Sequence, residues 1–138
     1  MRLFAIALVC IVLMSAPKVP AQQAGYYPSG GADEAPQVSL IKLIANPQAY
    51  NHKIVRLIGY LHLEFEGNAI YLHQDDFEHG IYENSIWINL PKDISQVQIK
   101  AVNDHYVICT ARFIASQHGH MGMFSGELED VRRLETWR

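Results

Sequence analysis

The stretch KIVRLIGYLHLEF, residues 53–65, decides the fold of this chain of 138 residues. Its apolar side chains recur at every second position, which places them on one face of an extended strand. Gly59 lies at the centre of that face, which otherwise carries Val55, Leu57, Leu61, Leu63 and Phe65. At thirteen residues this is a long strand, and a central glycine allows it to bend. A long bent strand can pair with two different neighbours, as a small closed barrel requires.

Later segments show the same alternation. EGN, at 66–68, has the composition of a hairpin turn, and AIYLHQ follows it as a returning strand. SIWINL, at 85–90, places Trp87 opposite the apolar face of a third strand. HYVICTARFIA, from residue 105, alternates in the same way and predicts a fourth strand.

Two segments predict short helices. SLIKLIANPQAYN begins with Ser39 as a candidate N-cap, and Asn46-Pro47 interrupts the helix because the residue before proline avoids the helical region. PKDISQVQIKAVND offers Asp93 as N-cap and Gln96 at the capping-box position. In this second helix we expect Ile94 and Val97 to point inward.

The C-terminal stretch GELEDVRRLETWR, at 126–138, allows two interpretations. Leu128, Val131 and Leu134 are spaced as on a helix, and a bulged strand would also turn them inward. We favour a strand, because a barrel would otherwise lack its closing member. The element order is then a helix, three strands, a short helix and two strands. This order predicts a mainly β protein, a five-stranded Greek-key barrel of the OB-fold kind with one or two short helices.

Two segments carry a resemblance to a known group of proteins. AYNHKIVRLIGYL, at 49–61, and HGHMGMFSGELEDVRRLE, at 118–135, resemble OB-fold domains of the anticodon-binding-like type found in small exported bacterial proteins. The likeness covers roughly residues 38–138, and Asn51-His52 stands where such domains often place a glycine. The resemblance implies the OB fold and an exported location, and it brings no catalytic residues.

The first 21 residues have the pattern of a secretory signal peptide. Arg2 precedes an apolar run from Leu3 to Met14, and Val19-Pro20-Ala21 fits a small-x-small cleavage site. That run is too short to span roughly 30 Å of hydrocarbon. We therefore expect a periplasmic or secreted protein with no stable membrane span after cleavage. Residues 22–37 predict a disordered linker, and residues 38–138 the OB-fold-like domain.

Charge and cysteine content exclude some functions. After residue 21 the chain has 9 basic and 14 acidic residues, and only Arg132-Arg133 are adjacent basic residues. Binding to nucleic-acid phosphates needs clustered cations, so the composition argues against a nucleic-acid partner. Cys109 remains as the single thiol after cleavage, and its alternating context predicts a small buried side chain rather than a reactive one.

The histidines of HGHMG, at 118–122, suggest a metal site. His118 and His120 share a face if this segment is extended, and zinc needs further His, Cys, Asp or Glu ligands. Candidates lie in HQDDFEHG, which contains His73, Asp75, Asp76, Glu78 and His79. The favoured interpretation is nevertheless a tight glycine-rich loop with no cofactor, and a zinc site is the alternative.

Aromatic side chains suggest a binding surface. Tyr60 and His62 lie on the outer face of the first strand, with Tyr71 on the second and Trp87 on the third. OB-folds bind ligands on the second and third strands, and aromatic rings without basic charge suit a sugar or a peptide. We therefore predict ligand binding by these four residues. The alternative is that helices cover some of the rings.

Three functions follow from these patterns. The leading hypothesis is a non-catalytic binding module for a peptide, a glycan or an envelope protein. The second is a metal-binding protein or metallohydrolase that uses His118 and His120. The third is an assembly subunit of an envelope complex that docks through strand edges and the Tyr26-Tyr27 pair. No catalytic triad or acid/base pair is identifiable, so an enzyme is disfavoured, and the residues favour no particular oligomeric state.

Overall fold

The computed structural model describes residues 25–27 and 34–138. The predicted signal peptide and the remainder of the predicted linker lie outside the described residues. The division of the chain at residues 21 and 37 therefore stays a prediction. None of the described helices is long and apolar enough to cross a membrane.

Short helices and five strands make up the described part of the chain. The α-helices are α1 (Leu40–Ala45), α2 (Gln74–Glu78) and α3 (Gln96–Val102). Single 3-10 turns lie at Pro47–Tyr50, Tyr82–Asn84 and His120–Gly122. The strands are β1 (Ile54–His62), β2 (Ala69–Tyr71), β3 (Ser85–Ile88), β4 (His105–Ile114) and β5 (Glu127–Thr136).

The five strands form a closed barrel in the order β1-β2-β3-β5-β4. Only the β3–β5 pairing is parallel, while the other four are antiparallel. With α3 between β3 and β4 in the chain, this is the OB-fold arrangement. The predicted mainly β, five-stranded barrel with short helices is confirmed.

The C-terminal segment is a strand, as predicted, and a register shift explains its helix-like spacing. Its pairing with β4 shifts between Thr110 and Arg112, and Asp130 lies in the irregular part of β5 with a φ of 50°. The extra residues of this bulge bring Leu128 and Val131 to the same interior, although they are three positions apart.

Strand β1 organises the barrel. It pairs with β4 over Ile54–Leu61 and with β2 from Tyr60 onward, so the second pairing begins directly after Gly59. A Cβ at Gly59 would lie 2.5 Å from Ile70 Cγ2 and 2.6 Å from the Tyr71 carbonyl oxygen. The close approach of β2 therefore requires glycine here.

The barrel interior is filled by aliphatic and aromatic side chains from all five strands. Leu40 and Leu43 of α1 and Val102 of α3 extend this core, and each is at most 1% exposed. The strand residues of this core with no exposed surface are Val55, Leu57, Leu61, Ile70, Ile86, Ile88, Val107, Cys109, Phe113, Leu128 and Leu134.

Several local predictions need correction. The alternation places Phe65 on the interior face, but β1 ends at His62 and the Phe65 side chain is 91% exposed in the following loop. The N-cap of α3 is Ser95 and not Asp93, and Gln98 rather than Gln96 holds the capping-box position. The helix begins later than predicted because the residues at 92–93 form a turn. Val97 consequently faces outward at 75% exposure. The predicted N-cap Ser39 and the break before Pro47 are confirmed.

The described parts of the N-terminal segment pair with the barrel. Tyr26 exchanges backbone hydrogen bonds with Leu134 of β5, at 2.8 and 3.0 Å, and is 8% exposed. Its hydroxyl donates to Asp93 at 2.8 Å, and burial together with the Asp93 carboxylate raises the pKa of Tyr26. Gln37 forms a parallel bridge with Arg56 of β1. These contacts cover backbone groups on β5 and β1 that lack a strand partner there.

Replacing Gly59 by alanine should lower the free energy of unfolding by about 1–3 kcal/mol, because β2 must move to admit the methyl group. Urea denaturation measures this loss. Gly122→Ala is the control, since a Cβ there meets nothing within 4 Å and only its φ of 71° opposes alanine. A Gly59→Ala variant as stable as the parent would contradict the close approach.

Removing the Tyr26 side chain should destabilise the barrel by on the order of 2 kcal/mol, because a buried ring and its hydrogen bond are lost. Tyr27→Ala is the matched control. Tyr27 is 50% exposed and its ring lies 5.9 Å from the Arg133 guanidinium carbon, so its loss should cost less than about 1 kcal/mol. Equal thermal stability of the two variants would show that the Tyr26 pairing is dispensable.

Candidate functional site

Helix α2 covers much of the outer face of β1 and β2. It presents Phe77, whose ring centroid lies 6.1 Å from that of Tyr60 and 5.5 Å from that of Tyr71. Phe124, from the loop between β4 and β5, packs edge-on against Trp87 at 5.3 Å. The result is a second aromatic cluster outside the barrel, distinct from its core.

The acidic segment that suggested metal ligands builds α2 instead. The Asp76 carboxylate accepts from the His73 backbone N–H at 2.9 Å and from Asn84 Nδ2 at 2.8 Å. Through these two hydrogen bonds Asp76, which is 8% exposed, ties the start of α2 to the 3-10 turn before β3. The Nδ1 atom of His79 lies 2.8 Å from the Asp75 carbonyl oxygen within the same segment.

Three of the four predicted ligand-binding residues lie against α2. Tyr60 is 5% exposed and Tyr71 is fully buried, so the alternation correctly placed them outside the barrel but did not reveal that a helix covers them. Burial raises the pKa of Tyr71 to about 12, and its hydroxyl has no hydrogen-bond partner among the described residues. His62 stacks on Phe77 at 3.8 Å, and its Nδ1 lies 2.6 Å from Asp104 Oδ1.

Trp87, the fourth residue, lies in the wall of an open cleft of about 420 Å³. The cleft lies over β3, between the β1–β2 loop at 63–68 and the β4–β5 loop at 115–126. Its described lining residues are Glu66, Asn68, Trp87, Asn89, Gly119, His120 and Glu127. Such a volume falls within the range of about 300–1,000 Å³ that is usual for ligand sites.

A chain of hydrogen bonds fixes the floor of this cleft. Trp87 Nε1 donates to Asn89 Oδ1 at 2.9 Å, and Asn89 Nδ2 donates to Glu127 Oε1. Glu127 is 9% exposed at the start of β5. A Cβ at Gly119 would lie 2.7 Å from the Trp87 ring, so the Gly119 backbone packs directly on the indole. Together these contacts hold the indole in one orientation.

The two loops meet at the rim of the cleft. His120 Nε2 lies 3.5 Å from Glu66 Oε2, which joins the tips of the loops. Glu66 and Met121 adopt left-handed φ values of 61° and 54°, which cost energy in residues with side chains. Beside them Phe65 and Met121 are 91% and 81% exposed. This rim therefore combines two strained backbone positions with two exposed apolar side chains.

His118 and His120 have different partners. The His118 Nδ1 atom donates to the Phe124 carbonyl oxygen at 2.8 Å, and the Phe124 N–H donates to the His118 carbonyl oxygen at 3.2 Å. His118 therefore closes the β4–β5 loop, while His120 reaches across to the other loop. Among the described residues, no three His, Cys, Asp or Glu side chains are grouped so as to hold a metal.

A second depression, of about 570 Å³, lies beside the β4–β5 loop and is lined partly by Ile44, Tyr82 and Met123. Two polar side chains there already serve the loops, since His118 bonds to Phe124 and Ser125 Oγ donates to the Glu83 carbonyl at 2.6 Å. The Trp87 cleft offers the richer set of polar side chains.

The Cys109 thiol is fully buried in the core, and burial raises its pKa to about 12. A thiol in this state is protonated at neutral pH and shielded from reagents. The structure gives Cys109 the environment of a packing residue, not that of a nucleophile.

Sequence reasoning missed most of the cleft. Glu66 and Asn68 look like ordinary turn residues, and Asn89 and Glu127 look like strand ends. The one available signal was a set of polar residues near Trp87 and near the HGHMG loop, whose meeting depends on barrel closure.

Comparisons with known proteins are sparse. Neither a protein-family model nor a curated protein matches the chain. A solved structure described as a putative aspartyl-tRNA synthetase from Leishmania major Friedlin is similar with a TM-score of 0.45 and 13% identity. The match covers 88% of this chain and 23% of that one, so this chain spans about a quarter of its length. A likeness at this level carries no argument about function.

His118→Ala should lower the free energy of unfolding by about 1 kcal/mol, because the Phe124 carbonyl loses its side-chain donor. His120→Ala should cost less than about 0.5 kcal/mol, because its pair with Glu66 is largely solvated. Urea titration compares the two. Added zinc should leave both variants and the parent with unchanged melting temperatures, and a zinc-dependent rise lost in either variant would instead support the metal hypothesis.

Proposed function

We propose that this chain is a non-catalytic, exported binding module that holds its ligand in the Trp87 cleft. The observation that carries the proposal is the position of the cleft, over β3 and between the β1–β2 and β4–β5 loops. OB-folds bind their ligands on this face and with these two loops. The pattern of residues 1–21 supports export.

The chemistry of the cleft favours binding over catalysis. Trp87, Asn89 and Glu127 form a continuous hydrogen-bonded chain, which orients an aromatic surface and two polar groups without an exposed nucleophile. The His62–Asp104 pair, whose side chains could exchange a proton, lies outside this lining, where His62 stacks on Phe77 of α2. A rigid aromatic wall with a few fixed polar groups is the usual composition of a ligand site.

Ligands without phosphate suit the cleft best. Glu66 and Glu127 line it, and of the described lining residues none is lysine or arginine. Carboxylates repel a phosphate backbone, so a peptide, a glycan or an envelope protein is the proposed ligand class.

Screening the full chain on a peptide array and a glycan array tests the proposal. Asn89→Ala should weaken capture by about tenfold or more, because the Trp87 and Glu127 side chains lose the amide that orients them. Gln48→Ala is the matched control, since it removes an exposed carboxamide outside the cleft. Capture that is equally strong in both variants would place the binding site elsewhere.

A further inference from the structure

We infer that the cleft recognises a cationic side chain, a lysine or an arginine of a peptide segment, held between Glu66 and Glu127 against the Trp87 indole. This inference rests on the proposed binding function and specifies its ligand. It names one chemical group, a positive charge on a long aliphatic stem.

The charge of the cleft carries the first step. Glu66 enters from the β1–β2 loop and Glu127 from the start of β5, so carboxylates of two different elements line the same cavity. Their partners there are the Asn89 amide and the His120 imidazole. With neither lysine nor arginine among the described lining residues, the electrostatic complement of this cavity is a cation.

The burial of Glu127 carries the second step. This carboxylate is 9% exposed and accepts a hydrogen bond from a neutral amide. Carboxylates so far removed from water are normally balanced by a positive group. An ammonium or guanidinium in the cleft would supply that balance and add charge-assisted hydrogen bonds.

The aromatic wall carries the third step. Trp87 lines the cleft, and its N–H already donates to Asn89, so the indole offers a ligand its aromatic carbon surface and no free donor. Tryptophan is the aromatic side chain that attracts cations most strongly. At the rim the exposed side chains of Phe65 and Met121 offer apolar contact to the stem and to neighbouring apolar residues of the peptide.

A neutral glycan is the competing ligand class, because tryptophan and carboxylates also suit sugar hydroxyls. The two classes differ in their dependence on charge. A cation held by two carboxylates binds less tightly as salt screens the attraction, whereas a neutral sugar is almost insensitive to salt.

Matched probes test the inference on the full chain by isothermal titration, with the Trp87 indole resonance as the reporter of position. The first probe is a capped heptapeptide with one central lysine flanked by leucines. The second is the same peptide with Nε-acetyl-lysine, which keeps the stem and removes the charge. The third is chitotetraose.

The lysine peptide should bind and shift the Trp87 indole resonance, and acetylation should weaken binding at least about tenfold. Glu66→Gln and Glu127→Gln should each weaken it by about tenfold while keeping side-chain shape. Glu64→Gln should leave binding unchanged. Its side chain lies in the same loop with an exposure of 52%, against 54% for Glu66, and it pairs with His62 outside the cleft.

Equal affinity for the lysine and acetyl-lysine peptides would overturn the inference, as would salt-independent binding of chitotetraose in preference to either peptide. Failure of both peptides to bind at millimolar concentration would overturn it as well. In each case capture of an array ligand that is lost in Asn89→Ala would leave the proposed binding function standing. If the parent chain captured no array ligand either, both the inference and the proposed binding function would be overturned.

Discussion

The close approach of β2 to Gly59 is the contact on which the rest of the structure depends. Before Gly59, β1 pairs only with β4. After Gly59 it pairs with both β4 and β2, so this one strand joins two sides of the barrel. The 2.5 Å that would separate a Cβ from Ile70 leaves no room for a side chain. Closure of the barrel, burial of its core and the positions of the connecting loops all depend on this close approach of β2 to β1.

A helix and a loop cover part of the outer surface of the barrel. Helix α2 lies over the outer side of β1 and β2, where Phe77 packs on Tyr60 and Tyr71. Within the β4–β5 loop, two hydrogen bonds between His118 and Phe124 hold the chain in a closed turn. The Trp87 cleft, between the β1–β2 and β4–β5 loops, remains accessible, with its floor fixed by Asn89 and its rim joined by His120 and Glu66. A rigid floor beneath strained loop tips suits recognition, because little ordering is required when a ligand binds.

The elements with strong periodicity were predictable, and the contacts between distant loops were not. Alternation predicted β1, β3 and β4, and the need to close the barrel predicted β5 against its helix-like spacing. The acidic segment at 74–78 carries no helical pattern in the sequence, because its helix is one turn long and derives its stability from the Asp76 contacts. The Tyr71 and Trp87 rings both alternate outward, yet a helix covers one and the other borders a cavity. Sequence periodicity gives a side chain's direction and does not show what packs over it.

The sequence by itself determined the order of the five strands and of α3, the position of Gly59 within β1, the interior face of the strands and the negative charge of residues 22–138. These depend on neighbours along the chain, through side-chain alternation, turn composition and residue counts. Only the tertiary structure decided that Glu66, Asn89, His120 and Glu127 meet around Trp87, and that His118 faces its own loop. The pair of Glu66 and His120 joins residues more than fifty positions apart. Their meeting depends on barrel closure and loop packing, because no local pattern encodes the distance between two loops.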